Sequence, residues 1–233
     1  MSAVPTRQRR KEARPQELLD AALELFVEKG FAATRAEEVA ARAGVSKGTL
    51  YLYYPSKEDL LKAVIEQRVS SEIAAGAAEA ASFQGPTDEL LRTILTQWWQ
   101  RLYDSPVSGV FKIVITEVRN FPEIADFHRR TVVEPGQRLV GQLVQRGIDR
   151  GEFRRVDVHS AVHSLIFPMI MACLHKHSLG ACIPEERMDG KRFIRDHVEL
   201  MLQGLGTRAP APAPAQARAR TAPGRRRAAA GAK

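Results

Sequence analysis

Cysteine is nearly absent, with Cys173 and Cys182 the only two in 233 residues. Two thiols cannot build a disulfide framework, so the fold has to rest on an apolar core. Period-two runs of β-branched residues are also scarce. Apolar residues recur instead at spacings of three and four, which is the helical period. No apolar stretch approaches the ~20 residues that a membrane span needs. The polar, basic N-terminus has no apolar segment of the kind a secretory leader carries. A cytoplasmic protein without membrane contact is expected from these absences. Missing too are a phosphate-binding glycine loop, a nucleophile elbow and a metalloprotease signature, so neither catalytic residues nor a cofactor is expected. What remains is 44% apolar residues, enough for the packed core of an all-α protein.

Acidic residues are scarce at both ends. Residues 207–233 hold seven basic residues and no acid, and residues 1–14 hold five against Glu12. The ends thus carry +7 and +4 of a net +8, which leaves −3 on residues 15–206. Basic arms on a mildly acidic body point to a polyanionic partner, and nucleic acid is the first candidate. The last stretch, "TRAPAPAPAQARARTAPGRRRAAAGAK", is too poor in apolar residues to fold. It should be disordered and add salt-sensitive DNA affinity. The expected organisation is a basic arm (1–14), a helix-turn-helix domain (15–57), a larger helical domain (58–206) and a basic tail (207–233).

Helix signals are dense near the N-terminus. Residues 15–29 carry Leu18, Leu19, Ala22, Leu25 and Phe26 on one side, with Pro15 suited to a first turn and Gly30 to a left-handed stop. Thr34 and Glu37 read as a capping box for a helix over 35–43. Gly44 stops it, Ser46 caps a third helix over 47–54, and Pro55 ends that one. Ser56 then caps a fourth helix running to about residue 81. Two helices joined at Gly44 form a helix-turn-helix, whose second helix enters the major groove of DNA. Three of the four tyrosines, Tyr51, Tyr53 and Tyr54, fall within this third helix. At 100° per residue, Leu50 and Tyr54 turn inward with Val39 and Leu25, while Gly48 and Leu52 face the groove. Tyr51 and Tyr53 lie on the flanks, where a phenol can donate to a phosphate oxygen. Lys47 and Thr49 can reach base edges or the near backbone, and Lys57 can hold a phosphate at the start of the fourth helix.

The stretch "AALELFVEKGFAATRAEEVAARAGVSKGTLYLYYPSKEDLLKAV" resembles the DNA-binding domain of the TetR/AcrR family of bacterial transcriptional regulators. The resemblance implies that Lys47, Gly48, Thr49, Tyr51, Tyr53 and Lys57 touch operator DNA. It also implies phosphate contacts from Thr34 and Arg35 at the start of the second helix. The sequence departs from the family pattern there, because Glu37 stands where some members carry an arginine that reads a base. A ligand-binding and dimerisation domain should follow, with helices at about 86–104, 107–120, 122–150 (broken near Pro135 and Gly136), 157–178 and 189–204. By the same resemblance the last two helices pair with a second copy, as a homodimer. Val158, Ala161, Val162, Leu165, Ile166 and Met169 offer one apolar face for this, and Phe193, Val198, Leu200 and Met201 another. The function implied is a repressor on a palindromic operator, released by a small hydrophobic or aromatic effector.

Trp98, Phe111, Ile115, Phe121, Phe127 and Met169, with Trp99, are the candidates to line an effector cavity. Glu117, Arg119, His128 and Arg129 are candidates for its polar end. Plain core packing is the competing account of the apolar group. Cys173, His175, His177 and Cys182 lie within ten residues, and His159 and His163 sit four apart. Neither set matches a common zinc spacing, so no metal ligand is assigned. A metal- or oxidant-sensing regulator and an architectural DNA-coating protein remain the alternative functions.

Overall fold

The computed structural model describes residues 6–117 and 119–207. The tail reading therefore lies outside the described residues, apart from Thr207. The described chain is helical, with no β-strand among these residues beyond a single bridge between Phe153 and Gly206.

Helix α1, Thr6–Lys29, starts nine residues earlier than expected, so Pro15 lies inside it rather than in its first turn. Leu18, Leu19, Ala22, Leu25 and Phe26 are buried. Gly30 ends the helix at φ +89°, a backbone conformation that only glycine takes freely. The capping box of α2, Ala36–Arg42, sits one residue later than expected. Arg35 is the N-cap, and its backbone N–H donates to Glu38 Oε2 at 2.9 Å. Thr34 is displaced from that role because its hydroxyl donates inward to the Gly30 carbonyl at 2.7 Å. Gly44, at φ +67°, makes the turn, and the Val45 N–H closes on the Ala40 carbonyl at 2.9 Å.

Helix α3, Lys47–Tyr53, is capped by Ser46, whose Oγ accepts from the Thr49 N–H at 3.1 Å. Tyr54 falls just beyond the helix and is buried with Leu50 and Val39. Ser56 caps α4, Lys57–Ile65. A single π-helical turn, Glu66–Ser70, joins it to α5, Ser71–Ser82.

The remaining helices are α6 (Thr87–Asp104), α7 (Gly109–Glu117), α8 (Pro122–His128), α9 (Glu134–Asp149), α10 (Val158–Lys176), α11 (Leu179–Cys182) and α12 (Gly190–Leu205). The break expected near Pro135 is a second π-helical turn, Arg129–Val133, just ahead of the proline. The wider turn accommodates a residue that can donate no helical hydrogen bond. Helix α10 runs unbroken through Pro168.

The segment Val158–Cys182 is apolar and long enough to cross a membrane by composition, contrary to the sequence expectation. Its helix packs against α7, α9 and α12. Ala161, Val162, Leu165 and Met169 form its inward face and are buried within the protomer, as is Val198 on α12. Of the residues expected to pair with a second copy, Leu200 of α12 is exposed and Val158, Ile166, Phe193 and Met201 are half-buried, while Phe167 and Met171 of α10, outside that expectation, are exposed as well. Because α10 is apolar around its circumference, periodicity could not tell its inward side from its outward one.

Candidate nucleic-acid interface and ligand cavity

The exposed side of α3 is built by two anchors. Leu50 and Tyr54 fix the helix to the α1–α4 core, which leaves Lys47, Gly48, Tyr51 and Leu52 on the outer side. Leu52 is 81% exposed, a large apolar side chain with no protein surface to cover. A Cβ placed on Gly48 would meet only Ser46 Oγ, at 3.8 Å, so the local fold does not require glycine there. Lys47 Nζ pairs with Glu37 Oε1 at 2.5 Å across the turn and lies 5.6 Å from the Tyr51 ring centroid. The pair holds the Glu37 carboxyl below the usual carboxylate range and the Lys47 ammonium above its own. Thr49 is half-buried, with its hydroxyl 2.9 Å from that of Ser46. Arg35 is exposed beside them.

Three of the expected contact residues stand differently. Thr34 is 2% exposed and spends its hydroxyl on the Gly30 and Leu25 carbonyls, so it presents no group to a phosphate. Tyr53 is half-buried and packs on the core rather than standing free on the flank. Lys57 donates to the carbonyls of Phe31 at 2.7 Å, Ala32 at 3.2 Å and Thr34 at 3.1 Å. Its ammonium also lies 4.5 Å from the Phe31 ring centroid. An ammonium has three N–H donors, and all three are committed. Lys57 thus clamps the α1–α2 loop from inside the protein instead of reaching outward.

The cavity lies between α5, α6, α7, α9 and α10 and has a volume of about 220 Å³. One wall is a train of rings. The Trp98 and Trp99 centroids are 4.6 Å apart, Trp99 and Phe111 5.9 Å, and Phe111 and His128 6.5 Å. Of the six expected residues only Trp98 and Phe111 line it, together with Trp99. Ile115 is exposed on α7, and Met169 is buried in the core. Phe121 packs edge-on against Phe31 at 4.9 Å and is outside the lining. Phe127 is half-buried and outside the lining. Among the polar candidates only His128 lines the cavity, and burial pushes its imidazole down to about 4. Sequence reasoning missed Ile73, Ile94, Leu139, Val140 and Ile170, which are part of the apolar remainder.

The cysteine and histidine set does not converge. Cys173 is buried, and burial pushes its thiol up to about 12, far from a reactive thiolate. Cys182 is exposed, and His177 Nε2 lies 2.8 Å from Ser108 Oγ. Among the described residues no three metal-ligating groups gather at one point.

Comparison with known proteins places both parts of the chain beside bacterial regulators. Residues 18–64 match the profile described as "Bacterial regulatory proteins, tetR family", and residues 84–183 match "Tetracyclin repressor-like, C-terminal domain". The chain is 31% identical over 156 residues to the uncharacterized HTH-type transcriptional regulator YfiR of Bacillus subtilis, covering 63% of this chain and 71% of that protein. It is 35% identical over 65 residues to the fatty acid metabolism regulator protein of B. subtilis, covering 27% of this chain and 34% of that one. The solved structure of FadR from B. subtilis in complex with stearoyl-CoA superposes with a TM-score of 0.63 at 18% identity, over 82% of this chain and 98% of that one.

Proposed function

The chain belongs to the TetR family of bacterial transcriptional regulators, and from that membership we propose a homodimeric repressor that leaves its palindromic operator when a small molecule fills the cavity. The observation that carries this reading is the outer side of α3. Lys47, Gly48, Tyr51 and Leu52 stand clear of the core on a helix that Leu50 and Tyr54 hold rigid. Gly48 gains meaning here, because a bare backbone allows close approach to base edges. Leu52 suits the methyl group of a thymine, which presents an apolar surface in the major groove. Tyr51 and Arg35 remain placed for phosphates, whereas Lys57 acts from within by fixing the loop that carries Arg35.

A dimer is supported by the apolar outer faces of α10 and α12, where Phe167, Met171 and Leu200 are exposed. Two copies of α3 about one helical turn apart, ~34–36 Å, would read two half-sites. The ligand acts by binding more tightly to a state in which that spacing does not fit the DNA, and the linkage is reciprocal. Such a protein works on the chromosome, in the cytoplasm. The stearoyl-CoA bound by the B. subtilis neighbour stays with that protein, because likeness at 18% identity carries the fold alone.

Selection of genomic fragments by the purified protein at physiological salt, with footprinting of the best site, tests the reading. The expected result is a short palindrome with half-sites one turn apart. Broad binding without a motif overturns it and leaves a protein that coats DNA.

A further inference from the structure

A glycine inside a helix lowers its stability, so it ordinarily answers a local demand. Gly109 and Gly147 do so by packing. A Cβ on the first would stand 2.3 Å from Val27 Cγ2, and one on the second 2.1 Å from Phe153 Cδ2. Gly76, in the middle of α5, and Gly136, in the first turn of α9, answer no such demand. Neither has a positive φ. A Cβ on Gly76 would meet Leu139 Cδ2 at 3.4 Å and Ile94 Cγ2 at 3.8 Å. One on Gly136 would meet Ile73 Cδ1 at 3.7 Å. These are ordinary van der Waals separations, so alanine fits both places.

Alanine would also suit the helices better. Glycine gives up more conformational freedom on folding than any other residue, and α5 in particular would gain from a methyl group at position 76. The local fold therefore explains neither glycine.

What the two positions share is the cavity. Both line it, and so do all three residues that the added methyl groups would approach, Ile73, Ile94 and Leu139. Helices α5 and α9 pack against each other, so the two glycines belong to one side of the space. Gly48, Gly141 and Gly204 are likewise free of steric or conformational demand, and none of them lines the cavity. A methyl group at 76 or 136 would sit among lining side chains and narrow a space of about 220 Å³. The aromatic part of the wall, Trp98, Trp99 and Phe111, would stay as it is.

Resting on the effector reading above, we propose that Gly76 and Gly136 set the size of the effector: left bare, they keep the α5–α9 side of the cavity wide enough for a bulky, apolar, ring-bearing molecule. Helix stability is given up at these two positions to hold that width.

Fluorescence titration of the full chain, without DNA, tests this with two uncharged probes of different bulk. One is N-phenyl-1-naphthylamine, which brightens in apolar surroundings. The other is 1-naphthylamine, the same molecule without its phenyl ring, measured by its displacement of the first. Gly76→Ala and Gly136→Ala should each weaken the larger probe about tenfold, as one methyl group's worth of pocket allows, and the smaller one by less than about threefold. The melting temperature of Gly76→Ala should rise by about 2 °C, and that of Gly136→Ala should not fall. A better fold with poorer binding of the larger probe is a combination that a purely structural glycine cannot give. A lowered melting temperature in either variant overturns the proposal, because packing then requires the glycine. Unchanged binding of the larger probe, equal weakening of both probes, or no binding of N-phenyl-1-naphthylamine by the wild type overturns it as well. Each of these results leaves the operator selection untouched, and a protein without an operator would still show the size effect, so the two readings fail separately.

Discussion

Lys57 and Trp99 both set N–H groups into apolar surroundings, and their two regions treat those groups in opposite ways. At the DNA-reading end Lys57 gives all its donors to the carbonyls of Phe31, Ala32 and Thr34, and the Thr34 hydroxyl is used twice more. Ser46 and Ser56 satisfy the first amides of α3 and α4. At the cavity wall Trp98, Trp99 and His128 leave ring nitrogens unpaired. The first region is complete in the free protein and can act as a rigid reading head. The second leaves three ring nitrogens shielded and unpaired among the described residues.

The contrast is sharpest in what removing a polar group should cost. Lys57→Met deletes three charge-assisted hydrogen bonds while keeping the stem that covers Phe31. The stranded carbonyls should cost about 3 kcal/mol of folding stability, read by denaturant unfolding. Operator affinity should fall along with it, equally for all operator variants, because the loop loses its clamp rather than a base contact. A variant of unchanged stability that binds DNA more weakly would return Lys57 to the phosphate role that its position first implies.

Second in size is the pH response of His128. Its folded pKa of about 4 lies below the ordinary 6.5. The unfolded chain therefore takes up the proton first as pH falls. The stability is present in full above about pH 6.5 and is lost progressively toward pH 4. By pH 5 the loss should be roughly 2 kcal/mol, at 1.36 kcal/mol per unit. The stability gap between the wild type and His128→Phe, measured at pH 7.5 and 5, should shift by that amount against the wild type. A gap that does not move places His128 in a wetter setting than the cavity wall provides.

The two regions also differ in how far the sequence revealed them. Gly30, Gly44, Ser46, Pro55 and Ser56 each act on neighbours within four residues, so their roles could be read locally and the helix-turn-helix placed from them. The Lys57 clamp was hidden because its carbonyl partners lie 23 to 26 residues back, and no pattern links an ammonium to backbone oxygens at that range. The cavity draws on helices spread from Glu72 to Ile170. Helical period says that Trp98 and Met169 both sit on apolar faces. It does not say that α6 meets a gap where α10 at Met169 meets a neighbour. Trp98 and Phe111 reached the cavity, while Ile115, Phe121, Phe127 and Met169 did not. His128 had the one signal that could have been weighed more heavily, a titratable ring beside the apolar turns of Ile124 and Val132.

Trp99→Phe tests the other half of the contrast. It deletes an unpaired donor and keeps an aromatic ring in place. Folding stability should change by no more than about 1 kcal/mol, because the lost packing area is offset by the unpaired N–H it removes. A loss as large as that of Lys57→Met would mean that the indole nitrogen has a partner in the free protein.

The smallest expected effect falls back on the reading head, at the ion pair between Lys47 and Glu37. Glu37 and Lys47 are exposed, so their ion pair should add little to stability. It does occupy the Lys47 ammonium, which the operator reading places against DNA. Glu37→Gln frees Lys47 and removes a carboxylate from beside the phosphates. Binding to any duplex should tighten severalfold, and the salt dependence should steepen by about one phosphate contact. Anisotropy titrations of operator and scrambled duplexes over a salt series would show both. The gain should be as large on the scrambled duplex as on the operator, so that discrimination between the two does not improve. If instead affinity falls for the operator alone, Glu37 accepts from a cytosine amino group, and the pair with Lys47 is an arrangement of the free protein that opens on DNA.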